Sequence, residues 1–265
     1  MQFSSVILRD RQALWEQRHT VEISIVMPAY NEYDTIERAI GNIRRIVSAT
    51  SRSYELIVVD DGSTDGTLER LREIKAGCNE LKLIESRGNH GKGSAVRRAA
   101  ALVAGGVVIV IDSDGEINPS QLEQYLIGLR TFEICIASKR HPLSRYSAPA
   151  SRKFLSIGFN KMVRLLTGVN LLDTQTGLKA ARGEQFARIM RATSVKRFAY
   201  DVEFLVIANL LRMKIAEMPV HIQQQSRFSL REAMHMFVDL LGISYRLRIT
   251  KWYQRHFLMK PTESP

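Results

Sequence analysis

The sequence predicts an α/β domain built on a doubly wound, mostly parallel sheet. Two observations predict it. Short β-branched runs alternate three times with segments of helical apolar spacing before a fourth run, and such alternation implies parallel strands with helices on both faces. The runs also end in clusters of acids, Gly, Pro or hydroxyl residues, and open α/β sheets bind ligands beyond the carboxyl ends of their strands.

The first strand is predicted over Glu22–Met27, and Pro28 is expected to turn the chain out of the sheet because it cannot continue a central strand. Tyr30, Asn31 and Glu32 follow, offering a ring to stack on a base and polar edges. A helix with apolar residues at helical spacing is predicted after Asp34. The second strand, Tyr54–Val59, ends at Asp60–Asp61–Gly62–Ser63–Thr64–Asp65, where Thr64 or Asp65 is placed to cap the helix from Leu68. A third strand, Leu81–Ile84, leads into Arg87–Gly88–Asn89–His90–Gly91–Lys92–Gly93. That stretch fails the P-loop pattern, since Ser86 and Gly93 stand where Gly and Ser or Thr are required. Its glycines, lysine and helix start still suit an anion.

The fourth run, Val107–Ile111, ends in Asp112–Ser113–Asp114–Gly115–Glu116. Carboxylates at i and i+2 beyond a strand end can share one hard cation through oxygen, leaving open positions for the oxygens of a diphosphate. Further on, a helix is predicted over Ser120–Leu129, a strand over Ile134–Ser138, a long helix from Ser151 to about Leu166, and an edge strand over Ala216–Ile222, given its Pro219. Residues 5–17 read as a short helix that packs on the domain or touches a membrane surface. From Ser229 a basic amphipathic segment runs to about Phe257. The predicted organisation is an extension over 1–20, a core domain over 21–228 and this C-terminal segment over 229–265.

Composition narrows the functional classes. The 265 residues are 45% hydrophobic and 25% charged, ordinary for a soluble globular chain. There is no run of ~18 apolar residues, so no transmembrane helix is predicted, and Met1–Ser5 lacks the pattern of a secretory signal. The two cysteines, Cys78 and Cys135, are read as reduced thiols of a cytosolic protein. A net charge of +11 calls for an anionic partner: nucleic acid, lipid headgroups or phosphorylated substrates. The absence of an aromatic-basic stacking pattern or zinc-finger spacing argues against nucleic acid.

Three strings, Ser24–Ile25–Val26–Met27–Pro28–Ala29–Tyr30–Asn31–Glu32, the Val58–Asp65 turn and Ile111–Asp112–Ser113–Asp114, resemble the motifs of family-2 glycosyltransferases. Ser138–Lys139–Arg140, Asp173–Lys179, Phe198–Ala199–Tyr200–Asp201–Val202–Glu203 and Ser226–Arg227 resemble those of polyprenyl-phosphate sugar transferases. The glucosyl branch acting on dolichyl phosphate is the most similar, with the mannosyl branch close behind. The resemblance covers roughly 21–230 and implies a GT-A, Rossmann-like mixed sheet. It departs from the mannosyl branch at Glu116, where Gln is frequent, and from processive synthases in lacking Gln-x-x-Arg-Trp, which implies transfer of a single sugar.

The resemblance implies a reaction and a site. A hexose, glucose favoured over mannose, passes from a nucleoside diphosphate to a lipid monophosphate with Mg²⁺ or Mn²⁺. Pro28, Tyr30, Glu32, Asp61, Lys92, Asp112 and Ser113 line the nucleotide-sugar pocket, with Asp61 accepting a hydrogen from the base. Asp112 and Asp114, with Glu116 as a third ligand, hold the metal. Arg140, Arg152, Ser156 and Arg227 cradle the acceptor phosphate, which as an anion needs little help from a base. Asp201 and Glu203 lie where relatives with hydroxyl acceptors keep a base; here Asp201 acts catalytically, or the two orient a cationic residue or the sugar. The expected setting is peripheral, on the cytoplasmic face of a membrane. A soluble acceptor is the alternative within the same family.

Overall fold

The computed structural model describes residues 21–223 and 230–258. The helix expected over 5–17, and Arg227, lie outside the described residues. The first half alternates as the sequence predicts: β1 (Val21–Ala29), α1 (Ile36–Ser48), β2 (Tyr54–Asp60), α2 (Thr67–Ala76), β3 (Leu81–Glu85), α3 (Lys92–Ala100) and β4 (Gly105–Ile111). Then come α4 (Leu122–Gly128), β5 (Ile134–Ala137), β6 (Arg145–Ser147), α5 (Ala150–Thr167), β7 (Leu178–Arg182), α6 (Gly183–Ala192), α7 (Tyr200–Leu210), β8 (Ile215–Met218), β9 (His221–Gln223) and α8 (Leu230–Ser244). Seven strands form one sheet in the order β3-β2-β1-β4-β7-β5-β8. All run parallel except β7, which lies antiparallel between β4 and β5. The remaining two, β6 and β9, pair as a small parallel ribbon.

Alternation along the central strands divides the core between the two faces of the sheet. Val26, Ile57, Val59, Val108 and Val110 meet α3, α6, α7 and α8 on one face. Ile25, Met27, Leu56, Val58, Ile109 and Ile111 meet α1, α2 and α4 on the other. Both faces are covered, as a parallel sheet requires.

Two expectations are corrected. Pro28 does not end β1: it pairs in register with Val59 of β2. Pairing with β4 has already stopped at Val26, so no ladder bond is lost on that side, and the Pro28 carbonyl accepts the Ser113 hydroxyl at 2.8 Å. The single edge strand expected over 216–222 is two strands, β8 and β9, separated by Pro219 and Val220. The C-terminal segment expected from residue 229 contributes side chains to the core. Met236, Leu240 and Ile243 of α8, with Leu247 and Tyr253 beyond it, are buried in the same core as β4 and α7.

Candidate functional site

The carboxyl ends of β1, β2 and β4 open into a cleft of about 480 Å³. Pro28, Tyr30 and Glu32 follow β1, Asp61 follows β2, and Asp112, Ser113 and Asp114 follow β4; all line it. The turns are locked to one another. Asn31 adopts φ 56°, its amide oxygen accepts the Thr64 N–H at 2.8 Å, and its own N–H donates to Ser63 Oγ at 3.0 Å. Gly62 has φ +78°, and a Cβ there would come 2.5 Å from the Gly88 backbone, so the turn after β2 and the loop after β3 touch backbone to backbone.

Asp61 is buried. Its carboxylate accepts the backbone N–H groups of His90 and Gly91, the latter at 2.6 Å, and so shapes the glycine loop from which α3 starts. Lys92, at the first position of α3, lines the cleft but does not present a free cation to it. Its ammonium lies 2.7 Å from Asp112 Oδ1 and 3.1 Å from Asp201 Oδ2. Burial disfavours the charge, yet Asp112 and Asp201 outweigh it and hold the Lys92 pKa above its usual value.

Asp201 is buried on α7, and Lys179 of β7 takes its other oxygen at 2.8 Å. Burial alone would raise its pKa, but Lys179 and Lys92 together hold it below the usual carboxylate range. A carboxylate clasped by two ammonium groups is a poor proton acceptor, so of the roles expected for Asp201 the geometry favours orienting a cation. Glu203 is fully buried and accepts from Ser194 N, Val195 N, Ser194 Oγ and the Tyr253 hydroxyl, which ties the C-terminal segment to the domain.

Asp112 and Asp114 present the oxygen chemistry a hard divalent cation needs. Burial, and the neighbouring charges of Asp112, Glu116 and Glu32, push the Asp114 carboxyl up to about 7, despite a hydrogen bond from Glu116 N. Burial and the same acidic surroundings raise Glu32. Such mutual repulsion is what a bound cation relieves, so the pair fits the metal. Among the described residues no three His, Cys, Asp or Glu side chains converge as ligands, while Glu116 stays beside the pair: its backbone N–H donates to Asp114 Oδ1 at 2.9 Å and its charge reaches that carboxyl.

The expected phosphate cradle is partly assembled. Lys139 is anchored by Asp173, which accepts its backbone N–H at 3.0 Å and stands 3.6 Å from its ammonium. Arg140 donates to the Leu172 carbonyl at 2.7 Å. Arg152 and Ser156 lie one turn apart on α5, hence on one face. Around Tyr146 the cations gather: the ammonium groups of Lys139 and Lys153 lie 5.8 and 5.7 Å from its ring centroid, and Arg140 and Arg152 are within electrostatic reach of its hydroxyl. Glu116 is within electrostatic reach of both Tyr146 and Asp114.

Reading the sequence missed Tyr146, Arg197 and His235, and quoted Lys179 only as the end of a motif, without its pairing to Asp201. Arg197 and His235 line the cleft. Neither sits in a strand-end motif, and only the packing of α8 brings His235 to the cleft. Gly177 lay inside a quoted motif, but its task emerges only in three dimensions: a Cβ there would fall 1.9 Å from Asp112 Oδ2.

A mostly parallel mixed sheet with paired carboxylates beyond its fourth strand is the GT-A architecture of nucleotide-sugar transferases. The profile of Glycosyl transferase family 2 matches residues 24–176, and the chain belongs to that family and is a hexosyltransferase. A mouse dolichyl-phosphate beta-glucosyltransferase is 30% identical over 259 residues, 91% of this chain and 80% of its own. A Trichomonas vaginalis protein of the same name is 30% identical over 247 residues, 88% of this chain and 76% of its own. Among solved structures, Mycobacterium tuberculosis glucosyl-3-phosphoglycerate synthase in complex with UDP is similar at a TM-score of 0.63 and 25% identity, covering 85% of this chain and 80% of its own. The same synthase in complex with Mn²⁺, UDP-glucose and phosphoglyceric acid aligns at a TM-score of 0.64 and 24% identity, again covering 85% of this chain and 80% of its own.

Proposed function

We propose that this chain transfers one glucose from UDP-glucose to a dolichyl or other polyprenyl phosphate, at a membrane surface and with Mg²⁺ or Mn²⁺. The observation that carries the proposal is the pairing of an acidic cleft at Asp112 and Asp114 with a separate cluster of Lys139, Arg140, Lys153 and Arg152 around Tyr146. A neutral acceptor has no use for four cations, whereas a phosphate monoester does. The names of the dolichyl-phosphate beta-glucosyltransferase relatives support the same substrates.

In this reading Tyr30 stacks on the base, while Asp61 offers its remaining lone pairs to the base and holds the loop before α3. Asp112 and Asp114 hold the metal, which supplies Lewis-acid stabilisation of the leaving diphosphate. Lys92 keeps Asp112 oriented and is itself oriented by Asp201. Arg140, Arg152 and Ser156, with Arg227, hold the acceptor phosphate, whose oxygen attacks as an anion without a general base. In-line attack inverts the anomeric centre and gives a β-linked lipid product.

The membrane setting has its own support. Along α8 and the turn after it, Met236, Leu240, Ile243 and Leu247 are buried, while Met234, Val238, Leu241 and Tyr245 form an opposite, exposed stripe at helical spacing. On α5, Phe154 and Leu165 are 74% and 76% exposed. Apolar residues on two adjacent helices, with Lys153, Arg164 and Arg248 beside them, suit a lipid interface. No helix among the described residues is long and apolar enough to cross a membrane.

The test is label transfer from UDP- and GDP-sugars into organic-extractable lipid with polyprenyl phosphate and Mn²⁺. Label from UDP-glucose, lost with EDTA and in Asp114→Ala, is the expected result. Transfer only to a soluble phosphorylated acceptor would overturn the lipid reading.

A further inference from the structure

We propose that Arg197 and His235 form a two-residue clamp for the diphosphate of the donor nucleotide, with α8 contributing half of it. This rests on the reading of the cleft as a nucleotide-sugar site. Both residues line the cleft that also holds Asp112, Ser113 and Asp114. The carboxylates Glu32, Asp61, Asp112 and Asp114 dominate that cleft, and its lysine, Lys92, is already engaged with Asp112 and Asp201. A doubly charged ligand entering there needs further positive charge beyond a metal. Arg197 supplies it.

The local geometry prepares the pair. Arg197 Nη1 lies 3.0 Å from His235 Nδ1. A guanidinium only donates, so the imidazole accepts at Nδ1 and carries its proton on Nε2. The contact uses one N–H of the arginine fork and leaves the others, together with the imidazole N–H, for phosphate oxygens.

The segment carrying Arg197 is pinned at several points. Glu203 accepts the N–H groups of Ser194 and Val195 at 2.8 and 2.7 Å, and the Lys196 carbonyl accepts Ser94 N–H at 3.0 Å. Gly91, at φ +93°, lets this segment approach so closely that a Cβ would stand 2.5 Å from the Lys196 carbonyl oxygen and 3.0 Å from Arg197 Cα. His235 is placed by the helix around it, whose Met236 and Leu240 are buried in the core. Asp239, one turn along α8, lies within electrostatic reach of both members of the pair, and its buried Oδ2 has no hydrogen-bond partner. A clamp of this kind makes donor binding depend on α8, the same helix whose other face carries the exposed apolar stripe.

The experiment is isothermal titration of UDP, GDP and the corresponding nucleosides into the full chain, with Mn²⁺ and again after EDTA. It compares the native protein with Arg197→Ala, His235→Ala and the double variant. Arg197 is exposed, so its truncation leaves the fold intact, which an unchanged melting temperature verifies. Arg197→Ala is expected to weaken the diphosphate about tenfold or more, with the nucleoside changed by no more than about twofold. The loss persists after EDTA, because the clamp does not act through the metal. Unchanged diphosphate affinity in the double variant overturns the clamp and leaves the donor reading standing. Equal losses for nucleoside and diphosphate overturn it too, by showing a role in base binding or folding. If the native protein binds neither UDP nor GDP, the clamp and the donor reading fall together.

Discussion

The ammonium of Lys92 lies 2.7 Å from Oδ1 of Asp112, so the first carboxylate that β4 delivers to the cleft is already paired with a buried cation. The pair belongs to a chain of alternating charge: Asp112, Lys92, Asp201, Lys179. Two cations and two anions balance within it. Removing any member leaves a buried charge uncompensated, which is far costlier than losing a surface pair.

Asp201→Asn is therefore expected to destabilise the fold by about 3 kcal/mol, read as a lower denaturation midpoint at unchanged slope. The folded pKa of Asp201 is depressed. Its stabilisation is thus fully present above its unfolded value of ~3.9 and is lost as pH falls through the lower, folded value. The stability difference between Asp201→Asn and the native protein should be constant above pH ~5 and shrink in strong acid. A variant with native stability and a deleted acidic limb in its pH–rate profile would instead mark Asp201 as a base.

Gly177→Ala tests the other side of Asp112. The added Cβ would lie 1.9 Å from Asp112 Oδ2 and 2.4 Å from its Cγ, and the backbone there is not in the left-handed region. The carboxylate has to rotate away, which breaks its geometry toward Lys92 and toward Asp114. Overpacking of this kind costs about 1–3 kcal/mol. The sharper effect falls on Mn²⁺ affinity, expected to drop about tenfold or more in a titration without nucleotide. Native metal affinity in a folded Gly177→Ala protein would refute the placement of Asp112 as a ligand.

These two residues show where sequence reading reaches and where it stops. β1, β2 and β4 are legible because Ile25–Met27, Leu56–Val59 and Val107–Ile111 are uninterrupted apolar runs that end in polar turns. Asp61, Asp112 and Asp114 were legible with them, since strand ends of a parallel sheet share one edge. The insertion of β7 antiparallel between β4 and β5 was not, because nothing local in Leu178–Arg182 specifies its neighbours. That insertion carries Lys179 to Asp201 and Gly177 to Asp112. Lys92 and Asp201 are 109 positions apart, and no spacing rule connects them. The C-terminal segment is ambiguous for a different reason. Its apolar residues fall on two opposite faces of α8, and a pattern with two stripes does not say which one the core takes.

Tyr253→Phe tests that packing. The Tyr253 hydroxyl donates to Glu203 Oε1 at 2.6 Å, and Arg246 stands 3.5 Å from the same oxygen. A hydrogen bond to a buried carboxylate contributes about 1.5–3 kcal/mol, so the variant should be less stable by that order. Leu240→Ala, at a fully buried position, should cost about 2–5 kcal/mol through lost burial and a residual cavity. Thermal unfolding with one cooperative transition in both variants would agree with a single core. A separate early transition for the C-terminal segment would mark the residues beyond 229 as a unit of their own.

The exposed apolar residues beside the stripe of α8, on α5 and just beyond α8, are tested by substitutions that leave the core untouched. Phe154, Leu165 and Ile249 are 74%, 76% and 70% exposed, so replacing each by Ser should change stability by less than about 0.5 kcal/mol. If these residues enter a lipid interface, each buries apolar area worth on the order of 1–2 kcal/mol there, and the triple variant should bind anionic vesicles at least tenfold more weakly. Raising salt should weaken both proteins, since Lys153, Arg164 and Arg248 contribute through charge that ions screen. Transfer to a short-chain, water-soluble polyprenyl phosphate should survive in the triple variant, whereas transfer to the long-chain lipid in vesicles should fall with binding. Equal loss on both acceptors would place these residues in the chemistry of the site and not at a membrane.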